Sequence, residues 1–270
     1  MNTGDFSAHR RIVIKVGTST LTHRKSGRLN IRRMNNLVRV IADLKNSGRE
    51  IVLVSSGAVG LGLGRLGIAE RPDDTPTKQA AAAVGQCELM YMYDDQFGKY
   101  GLTVAQILLT KTIVNKERRG NVLNTLERLL SLGVIPIVNE NDTVAIDELE
   151  LEFGENDTLS AIVAELCGAD LLILMSDIDG FFDKDPNTSP DAKLIPVIDE
   201  ITEDIANAAG GVGSKFGSGG MQTKINAAKI ACEAGIDMVI LNGRNPDSLY
   251  DLFDGKPTGT LFRAKKLSSD

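Results

Sequence analysis

Five short apolar runs, at residues 12–16, 51–54, 134–138, 171–175 and 238–241, constrain this chain more than any other feature. Each is rich in Val, Ile and Leu without polar alternation, the pattern of strands covered on both faces in a parallel sheet. A sixth run, 102–109, alternates less clearly and is read as joining them. Helical patterns lie between. Ile31, Met34, Leu37, Val38, Ile41 and Leu44 recur at three- and four-residue steps, with Gly48 placed to close that helix. Further helices are expected at 78–98, 117–132, 157–166 and 222–234. Strands alternating with helices of this length predict right-handed crossovers and an α/β fold: a doubly wound, mainly parallel sheet sandwiched by helices.

The residues just after each run carry the first functional signal. Gly17-Thr18-Ser19 succeeds the first run, Ser55-Ser56-Gly57-Ala58 the second, and Asn139-Glu140-Asn141-Asp142 the third; Ser176-Asp177 and Asn242-Gly243 succeed the last two. Small and polar residues thus collect at the carboxyl ends of the strands, where open parallel sheets bind ligands. One composite site is expected there.

Composition narrows the chemistry. A chain of 270 residues can bury about three-quarters of its unfolded surface without disulfides. Its net charge of −6 argues against nucleic-acid or anionic-membrane partners. The only histidines, His9 and His23, sit near the N-terminus, so a central imidazole base or multi-histidine metal site is not expected. Cys87, Cys167 and Cys232 have no metal-ligand spacing and are read as buried, reduced thiols. No apolar stretch approaches the eighteen or so residues of a membrane span, and no secretory leader is visible, so a cytoplasmic protein is expected.

Gly62, Gly64 and Gly67 formally match a dinucleotide fingerprint, but Gly62 comes too far after Val54 to open the required strand–turn–helix unit. Gly213-Ser214-Lys215 only echoes a P-loop. Two lysines offer another way to hold phosphate. Lys15 stands inside an apolar strand just before Gly17, a costly place unless it reaches an anion. Lys224 is expected in the first turn of the 222–234 helix, where a cation opposes the helix dipole unless an anion is shared. Free N–H groups at Gly17, Gly57, Gly219 and Gly220 would complete a polyphosphate clamp. Each residue has a plain competing explanation: Lys15 and Lys224 as solvated side chains, Asp157 as an ordinary helix N-cap. The two Asn/Asp clusters, 139–142 and 154–158, together with Ser56 supply donors for a carboxylate and acceptors for an ammonium, as an amino-acid substrate requires.

The ordered pieces IVIKVGTSTL (12–21), VSSGAVGLG (54–62), AAVGQ (82–86), IPIVNENDTVA (135–145), GENDTLSA (154–161), SDIDGFFDKDP (176–186), GGMQTK (219–224) and GTLF (259–262) resemble the amino acid kinase superfamily, and within it the glutamate 5-kinases. The resemblance spans about 10–263. It implies one amino acid kinase domain over 1–270, with an amino-acid-substrate half at about 1–155 and a nucleotide-binding half at about 156–263. It implies ATP-dependent phosphorylation of the side-chain carboxylate of L-glutamate, the first step of proline synthesis.

By the same resemblance Lys15 and Lys224 contact the transferring phosphoryl group and Asp157 holds both lysines. Ser56, Gly57, Asn139, Asp142 and Asn156 bind glutamate. Lys15, Gly17, Ser176, Asp177 and Ser218, Gly219, Gly220, Met221, Gln222, Thr223 and Lys224 line the nucleotide site. ATP and Mg²⁺ are implied, the metal held through phosphate oxygens and not directly by protein. Feedback inhibition by proline and a homo-oligomer, dimer or tetramer, are implied too. Glu155 departs from the Asp common in the family and is given no role, and the length leaves no room for the appended C-terminal PUA domain of many relatives. The alternatives are another acceptor on the same fold (acetylglutamate, aspartate, carbamate or a nucleoside monophosphate) or an amino-acid sensor without catalysis. A nicotinamide-dependent dehydrogenase is a distant third. A glutamate carboxylate, with an ordinary pKa near ~4.3, arrives ionised and needs no general base.

Overall fold

The computed structural model describes residues 5–23, 28–70, 72–110, 116–144, 156–186, 188–210 and 218–265. Each expected apolar run forms a strand: β1 (Arg11–Val16), β2 (Glu50–Ser55), β3 (Val104–Leu109), β4 (Ile135–Glu140), β5 (Leu171–Ser176) and β7 (Asp237–Asn242). Two short strands escape the sequence pattern, β6 (Val197–Ile198) and β8 (Thr260–Phe262), because two or three residues carry no readable period. The sheet order is β3-β4-β2-β1-β5-β7-β8-β6. The first six are mutually parallel, β8 runs antiparallel to β7, and β6 is parallel to β8.

The order matters for the site. The chain starts at the centre with β1, moves out to β2 and on to β3 at the edge, comes back to β4 between them, then crosses to place β5 on the other side of β1. β1 therefore lies at the topological switch point, where the crevice of a doubly wound sheet opens. Lys15 is paired there between Val54 of β2 and Leu174 of β5.

Side chains alternate across the sheet and divide the core in two. Ile12, Ile14 and Val16 face α2 (Ile31–Asn46), α4 (Thr75–Gly98) and α9 (Ser248–Phe253). Val13 lies on the opposite face with α5 (Lys116–Ser131), α6 (Asn156–Leu166) and α8 (Ser218–Glu233), and Lys15, two residues on, shares that side. The lysine inside the strand thus points toward the two helices whose first turns carry Asn156, Asp157, Gly219 and Gly220.

Several helices differ from expectation. α4 begins at Thr75 because Asp74 caps it, accepting from the Thr77 N–H at 2.8 Å. α8 begins at Ser218, not at 222, so Lys224 stands in the second turn and the dipole argument for it weakens. The glycine-rich stretch 210–220 divides: α7 (Glu203–Gly210) ends in it, 218–220 are helical, and 211–217 lie outside the described residues. α1 (Thr18–Leu21) is a single turn after β1. α3 (Ala58–Leu66) contains Gly62 and Gly64, so the fingerprint glycines are helical and no dinucleotide turn exists there. Gly62 and Gly85 instead let α3 and α4 touch backbone to backbone. A Cβ on Gly62 would lie 1.8 Å from the Ala81 carbonyl oxygen, and one on Gly85 1.8 Å from that of Ala58. Cys167 and Cys232 are buried as expected, but Cys87 is exposed, on the outer side of α4.

Candidate active site

A cleft of about 1280 Å³ opens at the carboxyl ends of β1, β2, β4 and β5. It is lined by Lys15, Gly17, Ser56, Gly57, Asn139, Asp142, Asn156, Ser176, Asp177 and Lys224, so candidates spread over more than two hundred positions of sequence share one space. The strand-end clusters supply most of them.

At the floor of the cleft three charges meet. Asp157, the second residue of α6 and fully buried, places Oδ1 2.6 Å from Lys15 Nζ and Oδ2 3.0 Å from Lys224 Nζ. Thr223 Oγ1 donates to the same Oδ2 at 3.0 Å, and Lys224 Nζ also donates to the Gly220 carbonyl at 2.9 Å. Burial alone would raise the Asp157 pKa, but the two neighbouring ammonium groups outweigh it and hold the carboxyl below its ordinary value. Asp157 is thus a bridging counter-ion, not a simple cap. Lys15 is 9% and Lys224 7% exposed, so neither is a solvated surface lysine.

The other end of the cleft is built from neutral polar groups. Asn156 Nδ2 donates to Ser56 Oγ at 2.8 Å, to Asn139 Oδ1 at 2.9 Å and to the Ser55 carbonyl at 3.2 Å. Asn139 is nearly fully buried, and its own Nδ2 donates to Gln86 Oε1 at 2.9 Å. Gly57 stands before α3 at φ 109°, a left-handed conformation that glycine adopts freely, and turns the chain from β2 into the helix. The N-termini of α3 and α6 both lie at the cleft, turning their positive dipole ends toward it.

Some expectations shift. The Gly17 N–H is not free: it donates to the Met175 carbonyl at 3.3 Å, completing the pairing of β1 with β5. Of the stretch 218–224, Lys224 alone lines the cleft among the described residues. Met221 packs against the hydrophobic core, Gln222 donates to Asn226 along the helix, and Thr223 is turned to Asp157. Ser218, Gly219 and Gly220 form the first turn of α8. Glu155 lies outside the described residues.

Sequence reasoning missed most of one wall, of which only Thr18 and Ser19 stood in the strand-end clusters. Gly60, Leu63, Gly64 and Gly67 line the cleft from α3 and its end, joined by Thr18, Ser19 and Arg28. The signal was present: Gly60, Gly64 and Gly67 repeat at helical spacing, and small residues on one helix face leave room for a ligand.

Known proteins resemble the chain over nearly all of its length. Residues 10–242 match the Amino acid kinase family. The chain belongs to the amino acid kinase family. This amino acid kinase is 53% identical over 260 residues to the Glutamate 5-kinase of Clostridium perfringens (strain 13 / Type A), covering 95% of the chain and 96% of that relative. It is 52% identical over 260 residues to the Glutamate 5-kinase of Listeria innocua serovar 6a, covering 95% and 94%. Among solved structures, the isopentenyl phosphate kinase of T. acidophilum superposes with a TM-score of 0.63 at 17% identity, covering 94% of the chain and 100% of that structure. The UMP kinase of Bacillus anthracis gives 0.63 at 16% identity, covering 94% and 96%. At those identities the likeness is one of fold, and the mainly parallel sheet between helices is the amino acid kinase architecture.

Proposed function

We propose that the chain is a glutamate 5-kinase, transferring the terminal phosphoryl group of ATP to the side-chain carboxylate of L-glutamate in the first step of proline synthesis. The observation that carries the reading is the buried Lys15–Asp157–Lys224 cluster at the cleft floor, two cations bridged by one anion. The near full-length likeness to enzymes named Glutamate 5-kinase supports glutamate as the acceptor.

The chemistry is governed by charge. Acceptor carboxylate and triphosphate are both anions, and two unit charges 4 Å apart repel by about 4 kcal/mol at an effective dielectric of 20. Lys15 and Lys224 offset that repulsion and stabilise charge on the transferring group, so catalysis consists of positioning and electrostatics around an in-line transfer. Because the nucleophile is already ionised, no residue has to remove a proton. Ser56, Gly57, Asn139, Asp142 and Asn156 hold glutamate, and Ser176, Asp177 and the start of α8 approach the nucleotide. This divides the chain into a substrate half at about 1–155 and a nucleotide half at about 156–263.

Magnesium is read here as held through the nucleotide, since both Asp157 oxygens face lysines and that carboxylate is engaged on both sides. Held by phosphate oxygens, Mg²⁺ would neutralise charge on ATP. Proline inhibition at the glutamate site, a homo-oligomeric assembly and a cytoplasmic location belong to the same reading. Among the described residues no helix is long and apolar enough to cross a membrane.

The test is to trap the product with hydroxylamine. An acyl phosphate gives a hydroxamate that depends on both glutamate and ATP. Glutamate-independent turnover, or transfer to acetylglutamate or aspartate in its place, would overturn the choice of acceptor.

A further inference from the structure

We infer that Gln86 is a positioning residue for the acceptor: it sets the direction of a relay of amides and thereby decides which atoms the cleft offers to substrate. The inference rests on the reading of that end of the cleft as the glutamate site.

Gln86 sits on α4, among Ala82, Leu89 and Tyr93 on the helix's buried face, and is 9% exposed. A primary amide there must satisfy its donor and its acceptor. It does so in one direction. Gln86 Nε2 donates to Gln106 Oε1 on β3 at 3.3 Å, and Gln86 Oε1 accepts from Asn139 Nδ2 at 2.9 Å. Asn139 Oδ1 then accepts from Asn156 Nδ2 at 2.9 Å, and Asn156 Nδ2 also reaches Ser56 Oγ at 2.8 Å.

Backbone groups remove any ambiguity about which end of each amide is which. The Glu140 N–H, which can only donate, points at Asn139 Oδ1 at 2.9 Å. The Ser55 carbonyl, which can only accept, faces Asn156 Nδ2 at 3.2 Å. Donation therefore runs one way from Asn156 through Asn139 and Gln86 to Gln106, and Ser56 Oγ accepts at the Asn156 end. Its consequence appears at the cleft end. Asn156 commits Nδ2 to the relay and keeps Oδ1 as an acceptor for a substrate ammonium. Ser56 Oγ accepts from Asn156, so its proton is available to a substrate carboxylate.

Gln86 maintains this polarity by giving the buried Asn139 Nδ2 its acceptor. Without it, Asn139 either leaves that donor unpaired or turns over, presenting NH₂ to Asn156 Nδ2, donor against donor. The disturbance is confined to acceptor binding, because the Lys15–Asp157–Lys224 cluster has no member in the relay.

The test compares Gln86→Leu with Gln86→Glu in the full chain, measuring ADP release against glutamate and against ATP. Gln86→Leu removes the acceptor and is expected to raise the glutamate KM about tenfold, equivalent to about 1.4 kcal/mol, with ATP KM and saturated turnover within threefold. Gln86→Glu retains an oxygen toward Asn139, and its glutamate KM is expected within threefold of wild type. Should Gln86→Leu fail to fold, Gln86→Met takes its place in the comparison. Unchanged glutamate KM in the apolar variant, an equal rise for both nucleotide and glutamate, or a tenfold rise in Gln86→Glu overturns the inference while wild-type activity keeps the functional reading. Wild-type protein that releases no ADP with glutamate overturns that reading and this inference with it.

Discussion

Replacing Lys224 by Met separates its ion pair with Asp157 from the phosphoryl contact proposed for it. In the folded protein the cleft-floor cluster sums to +1, two ammonium groups against one carboxylate. Lys224→Met leaves Lys15 and Asp157 as a neutral pair 2.6 Å apart, so no charge is stranded by the change. Methionine fills nearly the same volume, and the lost charge-assisted hydrogen bond to Asp157 costs about 1.5–3 kcal/mol, partly offset by relief of Lys15–Lys224 repulsion. A net loss of about 1 kcal/mol lowers the melting temperature by about 2–4 °C for a chain of this size. The kinetic effect is much larger. A cation about 4 Å from the transferring group interacts by about 4 kcal/mol at an effective dielectric of 20. At 1.36 kcal/mol per decade, turnover falls about 10³-fold. Coupled ADP release and a thermal melt on the same preparation measure both quantities. Turnover within tenfold of wild type would show that Lys224 does not face the phosphoryl group, and loss of the fold would refute the charge balance.

Asp157→Asn should behave in the opposite way, leaving two buried cations uncompensated and costing about 3–5 kcal/mol in urea denaturation at neutral pH. The folded pKa of Asp157 lies below its ordinary 3.8, so its contribution is present above that value and disappears as pH falls further; the stability gap between wild type and Asp157→Asn should therefore close below about pH 3.8, and a gap that widens in acid would contradict the sign. Gly85→Ala forces a methyl group against the Ala58 carbonyl and should cost about 3 kcal/mol while raising the glutamate KM through displacement of α3, both read from melts and kinetics. With a maleimide, native protein should label rapidly at Cys87 alone, since burial pushes the Cys167 and Cys232 thiols up to about 12; three fast thiols in the native state would refute the packing of α6 and α8.

The strands were legible because β1, β2, β4, β5 and β7 are covered on both faces, which removes alternation and leaves unbroken Val, Ile and Leu. Lys15 was legible for the same reason, as a lone charge in such a run. The α3 wall was not, because Gly60, Gly62 and Gly64 each disfavour a helix by about 1 kcal/mol. Its close packing on α4, invisible in sequence, favours the helix. The start of α8 was hidden in the same way by Gly219 and Gly220, which read as loop. Gln86 gave the faintest signal, one of two buried amides, with Gln96, on a largely apolar helix face. Its meaning needed the positions of Asn139 and Asn156, which adjoin it only in space.

Asn156 and Asp157 are consecutive residues of α6, the first lining the neutral polar end of the cleft and the second buried between Lys15 and Lys224. On the proposed function, one rigid rod therefore carries both the address of the nucleophile and the spacing of the charges. A slide of α6 by one residue's rise, ~1.5 Å, would move both together, so the helix acts as a ruler between substrate and phosphate. Any influence that displaces it from afar must change affinity and turnover in concert, while changes confined to the β2 or β4 loops alter affinity alone.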